Sequence, residues 1–219
     1  MAENNFNSLL QKLDEFIRKF YVNRIIRGVL LFFSLAFALF ITLVVLEYFG
    51  EFNSSVRTSL FFGFAILMLG VFSFLIALPL LKFASIGKRI SREQASNIIG
   101  SHFSDVSDKL SNVLQLQSLA EEKSSDLLIA GINQKIAQLK PIPFSAAVNF
   151  KENKKYLKFL IVPLLLIVGL AAFEPKVIKD STQRIVSYNQ EFIKQAPYEL
   201  TIENNELKAF KNEDFKLKV

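Results

Sequence analysis

The chain has 219 residues, of which 51% are apolar, with no Cys, no Trp, 23 Phe and a net charge of +6. The missing cysteine excludes a disulfide framework and thiolate metal sites. Charged residues make up 21% of the chain, yet residues 28–46, 58–81 and 159–173 carry none, and the first two runs exclude a plain water-soluble globule.

The opening segment reads FNSLLQKLDEFIRKFYVNRII over residues 6–26. Phe6, Leu9, Leu10, Leu13, Phe16, Ile17 and Phe20 recur at three- and four-residue spacing, which predicts an amphipathic helix within residues 1–27. Such a helix lies on the membrane face or packs on the central segment.

The first span is read over residues 28–49, on the run GVLLFFSLAFALFITLVVL. Arg24 and Arg27 precede it, and Glu47 and Tyr48 follow the run. A signal peptide does not fit, because a long polar segment precedes a run that exceeds a signal-peptide core. Residues 50–57 then form a short loop.

The second span is read over residues 58–82, between Arg57 and Lys82. Pro79 lies near its C-terminal end, where a lost backbone hydrogen bond does least harm. Gly63 and Gly70 fall near one face, and with Ala65, Ser73 and Ala77 they predict close helix packing. Ser34, Thr42, Ser59 and Ser73 supply the hydroxyls of these runs, which ordinarily bond back to their own helix.

Residues 83–156 read as a small helical domain. Ser91 and Gln94 have the spacing of a capping box, followed by Ala95, Ile98, Ile99 and Phe103 at helical spacing. A second helix starting near Ser104 or Ser107 carries Val106, Leu110, Val113, Leu114 and Leu116. A third follows Ser124 and Ser125, with Asp126 suited to its first turn and Leu128, Ile129, Ile132, Ile136 and Leu139 as its apolar set. Pro141 and Pro143 end it. Three such helices alone make a marginal core, so they need a further surface to pack on.

The third span is read over residues 157–173, with Tyr156 at the interface and Lys158 snorkelling. Its uncharged run is short, so a buried core helix is the competing reading. The run IVPLLLIVGLAAF has no polar face, which favours a span.

The tail, residues 174–219, opens as a helix and then changes character. Tyr198 to Ile202 and Phe215 to Val219 alternate apolar and polar residues, with Leu207 to Phe210 a further short strand. So few strands bury no face by themselves. The expectation is the start of a sandwich-like β domain in a longer protein; the competing reading is a hairpin lying on the membrane module.

Lys and Arg counts set the orientation. Residues 1–27 hold Lys12, Arg18, Lys19, Arg24 and Arg27, whereas the loop before the second span holds Arg57 alone. The central segment is flanked by Lys82, Lys88, Arg89 and Arg92 at one end and Lys151, Lys154, Lys155 and Lys158 at the other. The pattern places the N-terminus and central segment in the cytoplasm and the tail outside.

No catalytic, cofactor-binding or metal-ligating residue is assigned. His102 is the single histidine, beside Ser104 and Asp105, but adjacency in sequence is not triad geometry. Gly87 and Lys88 do not complete a phosphate loop, because Lys82 and Arg89 stand where Gly and Ser or Thr are needed. The basic charge has no interleaved aromatic motif for nucleic acid.

The segments AENNFNSLLQKLDEFIRKFYVNRIIRG, GKRISREQASNIIGSHFSDVSDKLSNVLQL and LKPIPFSAAVNFKENKKYLKF resemble a group of large envelope proteins of Gram-negative bacteria, catalogued as a domain of unknown function. The likeness covers essentially the whole chain. It implies a membrane module preceding a long helix-rich, often coiled-coil region, so that this chain is an N-terminal piece. Some members carry loose ATPase labels, which find no support in the residues here. The resemblance supplies no catalytic residue.

The resulting expectation is a mainly α membrane protein with three transmembrane helices, a small cytoplasmic helical domain and a short C-terminal β segment. Its expected place is a bacterial inner membrane with a periplasmic tail. Its expected role is a non-catalytic anchor and scaffold, with the lipid bilayer and envelope or cytoplasmic proteins as partners, and no nucleic acid or small-molecule substrate. The alternatives are a subunit of a membrane enzyme or transport complex, or a signal-transducing receptor.

Overall fold

The computed structural model describes residues 2–84, 90–103, 106–122 and 126–192. Its first element, α1 (Ala2–Gly50), is one uninterrupted helix of 49 residues. At 1.5 Å per residue such a helix is about 74 Å long, more than twice the hydrocarbon thickness of a bilayer. The amphipathic segment and the first span are therefore a single rod. The reason is local: residues 2–50 contain no proline, so the change from polar to apolar side chains at Gly28 does not interrupt the backbone ladder.

The rod ends at a tight reversal. Glu51 takes a left-handed φ of 39°, with its N–H donating to the Glu47 carbonyl at 2.9 Å. Asn53 then caps α2 (Ser54–Phe72) by accepting from the Val56 N–H at 3.0 Å. The loop is shorter than the expected 50–57, because the second helix starts at Ser54. A π-helical turn, Ser73–Ala77, joins α2 to α3 (Leu78–Phe83), and together they form one rod. Pro79 explains the widening: it has no N–H for the carbonyl four residues back, that of Leu75. At this point α1 approaches closely. A Cβ on Gly28 would run into the Leu75 carbonyl oxygen, so backbone meets backbone there. Gly63 and Gly70, the expected packing glycines, have no neighbour within 4 Å of such a Cβ. Close approach in this chain uses Gly28 instead.

Beyond α3 come α4 (Arg92–His102), α5 (Ser107–Glu122) and α6 (Asp126–Leu139). The capping box forms as expected: Ser91 Oγ accepts from the Gln94 N–H, and Gln94 Oε1 accepts from the Ser91 N–H, both at 3.1 Å. Helices α4 and α5 meet through small residues, with Gly100 against Ser107 and the Ser96 and Ser111 hydroxyls bonded at 2.8 Å. The further surface these helices need is the N-terminal half of α1. Leu9, Leu13, Phe16, Ile17 and Tyr21 share one buried core with Ile99, Leu110, Val113, Ile136 and Leu139. The opening helix thus packs on the central segment. Polar contacts fix the register: Tyr21 Oη accepts from the Ile90 N–H at 3.0 Å, and Lys12 Nζ donates to the Lys140 carbonyl at the α6 C-terminus.

Two 3₁₀ turns, Phe144–Ala147 and Phe150–Asn153, lead into α7 (Lys154–Phe173). Val162, Leu165 and Val168 are 58%, 63% and 57% exposed, so the described residues leave this face of α7 uncovered. Three helical rods, α1, α2–α3 and α7, are long and apolar enough to cross a membrane. Helices α4–α6 pack at one end of the rods and α8 (Pro175–Val186) at the other. Helix α8 lays Val177 and Ile185 on Val44 of α1. The chain is mainly helical, and no strand occurs among the described residues. The strands expected at Tyr198 to Ile202, Leu207 to Phe210 and Phe215 to Val219 lie outside the described residues.

Candidate functional site

A cluster of charged side chains lies at the α8 end of the rods. Glu47, on the last turns of α1, is fully buried, and Arg57, on the first turn of α2, is 2% exposed. A hairpin of three residues joins the two helices, so these two side chains are brought face to face. Arg57 Nε stands 3.8 Å from Glu47 Oε1. The same Nε donates to the Phe52 carbonyl at 2.9 Å, and Nη1 donates to the Arg184 carbonyl at 3.3 Å. A guanidinium supplies five N–H donors in a fixed fork, so one side chain ties the hairpin to the last turn of α8.

A second ion pair flanks the first, Arg184 to Glu51 at 3.7 Å. The Phe192 ring lies 4.8 Å from the Arg57 guanidinium and 5.9 Å from that of Arg184. Ser54 Oγ donates to the Tyr188 carbonyl at 2.9 Å, and the Tyr188 ring stacks on Phe61 at 4.8 Å. At 3.8 Å the Arg57 guanidinium balances the Glu47 charge without a direct hydrogen bond. A buried carboxylate is tolerated only beside such a cation. The cluster holds no nucleophile with an adjacent base. Its chemistry is that of a clamp between α1, α2 and α8.

In the sequence, Glu47 and Arg57 stand only as flanks of two apolar runs, with no role assigned. Their signal is a carboxylate and a guanidinium closing two runs that a short hairpin joins. At the opposite end, the Arg27 guanidinium stacks on Tyr156 of α7 at 4.7 Å, and Asn153 Nδ2 donates to Asn23 Oδ1 at 2.6 Å. These contacts hold α7 beside α1 at the level where the polar half of α1 becomes apolar.

Elsewhere the chemistry is sparse. His102 is exposed and touches the Phe103 ring, while Ser104 and Asp105 lie outside the described residues. No group of three or more metal-binding side chains occurs among the described residues. The hydroxyls of Ser34, Thr42, Ser59 and Ser73 each donate to the carbonyl four residues back, as the sequence predicts. No family model, no curated protein and no solved structure matches this chain.

Proposed function

We propose that the chain is a membrane-anchoring and scaffolding module that holds a helical domain on one side of the bilayer in fixed relation to a segment on the other. The observation that carries this reading is α1. One continuous helix contributes Leu13, Phe16 and Tyr21 to the core of the helical domain and Val44 and Glu47 to the clamp at the far end. A rod seated at both ends transmits position and tilt across the membrane without a joint. The spans between those ends carry no charge to line a solute path, which disfavours a transport role for this portion.

The excess of Lys and Arg beside the helical domain supports a cytoplasmic helical domain at a bacterial inner membrane, with α8 in the periplasm. The resemblance to the large envelope proteins supports a longer protein whose outer portion this module tethers. A receptor role fits the same rod less well, because the charged cluster at the α8 end is occupied in tying helices together.

Two experiments test the proposal. The native chain has no cysteine, so single cysteines at Ser101 and Glu191, both exposed, report topology. In spheroplasts an impermeant thiol reagent is expected to label E191C and spare S101C; the reverse overturns the orientation. Purification in mild detergent is expected to recover stable protein partners. A chain that runs alone and monomeric overturns scaffolding.

A further inference from the structure

We infer that a groove between α1 and the α2–α3 rod, at the helical-domain end of the membrane, is a binding site for the headgroup of an anionic glycerophospholipid. The groove has a volume of about 380 Å³. Its polar lip is Asn23, Arg24 and Arg27; its floor is Gly28; its apolar wall runs through Leu31 and Leu75 towards the hydrocarbon. Two features open it. Gly28 pins the two rods together at the Leu75 carbonyl, and the π turn before Pro79 widens the second rod beside that point.

The chemistry matches one ligand class. Arg24 and Arg27 are three apart on a helix, so they reach into the same space. Both are exposed, and no carboxylate lies within ion-pair distance of either among the described residues. The Arg27 guanidinium lies over the Tyr156 ring, 4.7 Å from its centroid, and this contact holds a cation at the lip of the groove without pairing its charge. Two guanidinium forks favour a phosphodiester, which accepts bidentate bonds. Leu31 and Leu75 continue the groove downward, where an acyl chain lies and a free phosphate has nothing to contact. Basic pockets between spanning helices bind anionic headgroups for these reasons. This site does not depend on the scaffolding role; it requires the three spans alone.

The test uses the full chain in a mild detergent, titrated with dioctanoyl phosphatidylglycerol or dioctanoyl phosphatidylcholine and read by native mass spectrometry. Phosphatidylglycerol is expected to bind about ten-fold more tightly than phosphatidylcholine. R24Q is expected to weaken it by about three-fold, and R24Q with R27Q by about ten-fold or more. Arg24 has no ion-pair partner among the described residues, so R24Q alone keeps the test valid should the double variant unfold. L31W fills the apolar wall with both arginines intact and is expected to abolish retention. K151Q with K154Q removes equal charge on the same side outside the groove and is expected to change binding by less than about two-fold. An equal loss in that control means diffuse charge and overturns the proposal. Equal binding of the two lipids overturns it as well. So does full displacement of phosphatidylglycerol by inorganic phosphate, which assigns the arginines to free phosphate.

Discussion

The two ends of α1 are seated by different physics. At the helical-domain end, Leu13 and Phe16 are fully buried in a core drawn from α1, α4, α5 and α6. At the α8 end, Val44, Val177 and Ile185 form a smaller cluster, with Phe40, Leu43, Phe61 and Ile178 packed against it, and a buried ion pair lies beside it. An apolar core is non-directional and spreads its stabilisation over many contacts. An ion cluster in a low-dielectric setting rests on a few donors, and losing one leaves an uncompensated charge. The first end should therefore soften by degrees and the second should fail as a unit.

The largest effect is expected at the core. Phe16→Ala removes a ring that α4–α6 close upon, with a cost of about 3–5 kcal/mol. Limited proteolysis in detergent should show α4–α6 cut while the three rods stay intact. Joint cleavage of rods and domain would show that the two ends are not independent.

Next comes the clamp. Arg57→Leu leaves Glu47 buried without its ion-pair partner, with a loss of about 3 kcal/mol. Adding Glu47→Leu should restore most of it, because an apolar pair of similar volume is often neutral in place of an ion pair. A double-mutant cycle on thermal melts measures the recovery. A double variant that melts as low as the single one would mean that Arg57 acts through its bonds to the Phe52 and Arg184 carbonyls.

Between the ends, Gly28→Val tests the contact that sets the rods' spacing. The Leu75 carbonyl is backbone and cannot rotate away, so the helices must part. A loss of about 1–3 kcal/mol is expected, whereas Gly63→Val, facing open space, should be near neutral. Melts of the two variants side by side check this.

Those contrasts separate features legible in the amino-acid sequence from features that only the fold creates. The apolar runs, the capping box at Ser91 and the α6 stop at Pro141 are signals whose partners sit within a few residues. The fusion of residues 1–27 with the first span is hidden, because a side-chain boundary at Gly28 resembles an element boundary although the backbone ladder ignores it. Gly63 and Gly70 have the better packing spacing, but spacing along one helix says nothing of what stands opposite; Gly28 is chosen by Pro79 on another rod. The clamp is hidden for the same reason, since Arg57 meets Arg184 across 127 residues.

The smallest effect sharpens the comparison most finely, because a side-chain helix cap stands at each end. Ser91 takes part in two reciprocal bonds at α4, and Asn53 accepts one at α2. Replacing either by Ala costs about 1 kcal/mol of local stability. Near the domain core, α4 is held by Ala95 and Ile99, so Ser91→Ala should speed hydrogen exchange at Glu93 and Gln94 and leave the core amides protected. At the clamp, Asn53 directly precedes the turn that carries Arg57, and fraying there shifts the guanidinium itself. Asn53→Ala should therefore expose amides on both sides of the hairpin, Glu51 as well as Val56. Exchange confined to the first turn of α2 would show that the ion cluster holds its geometry without the cap, and the clamp would then be as tolerant as the core.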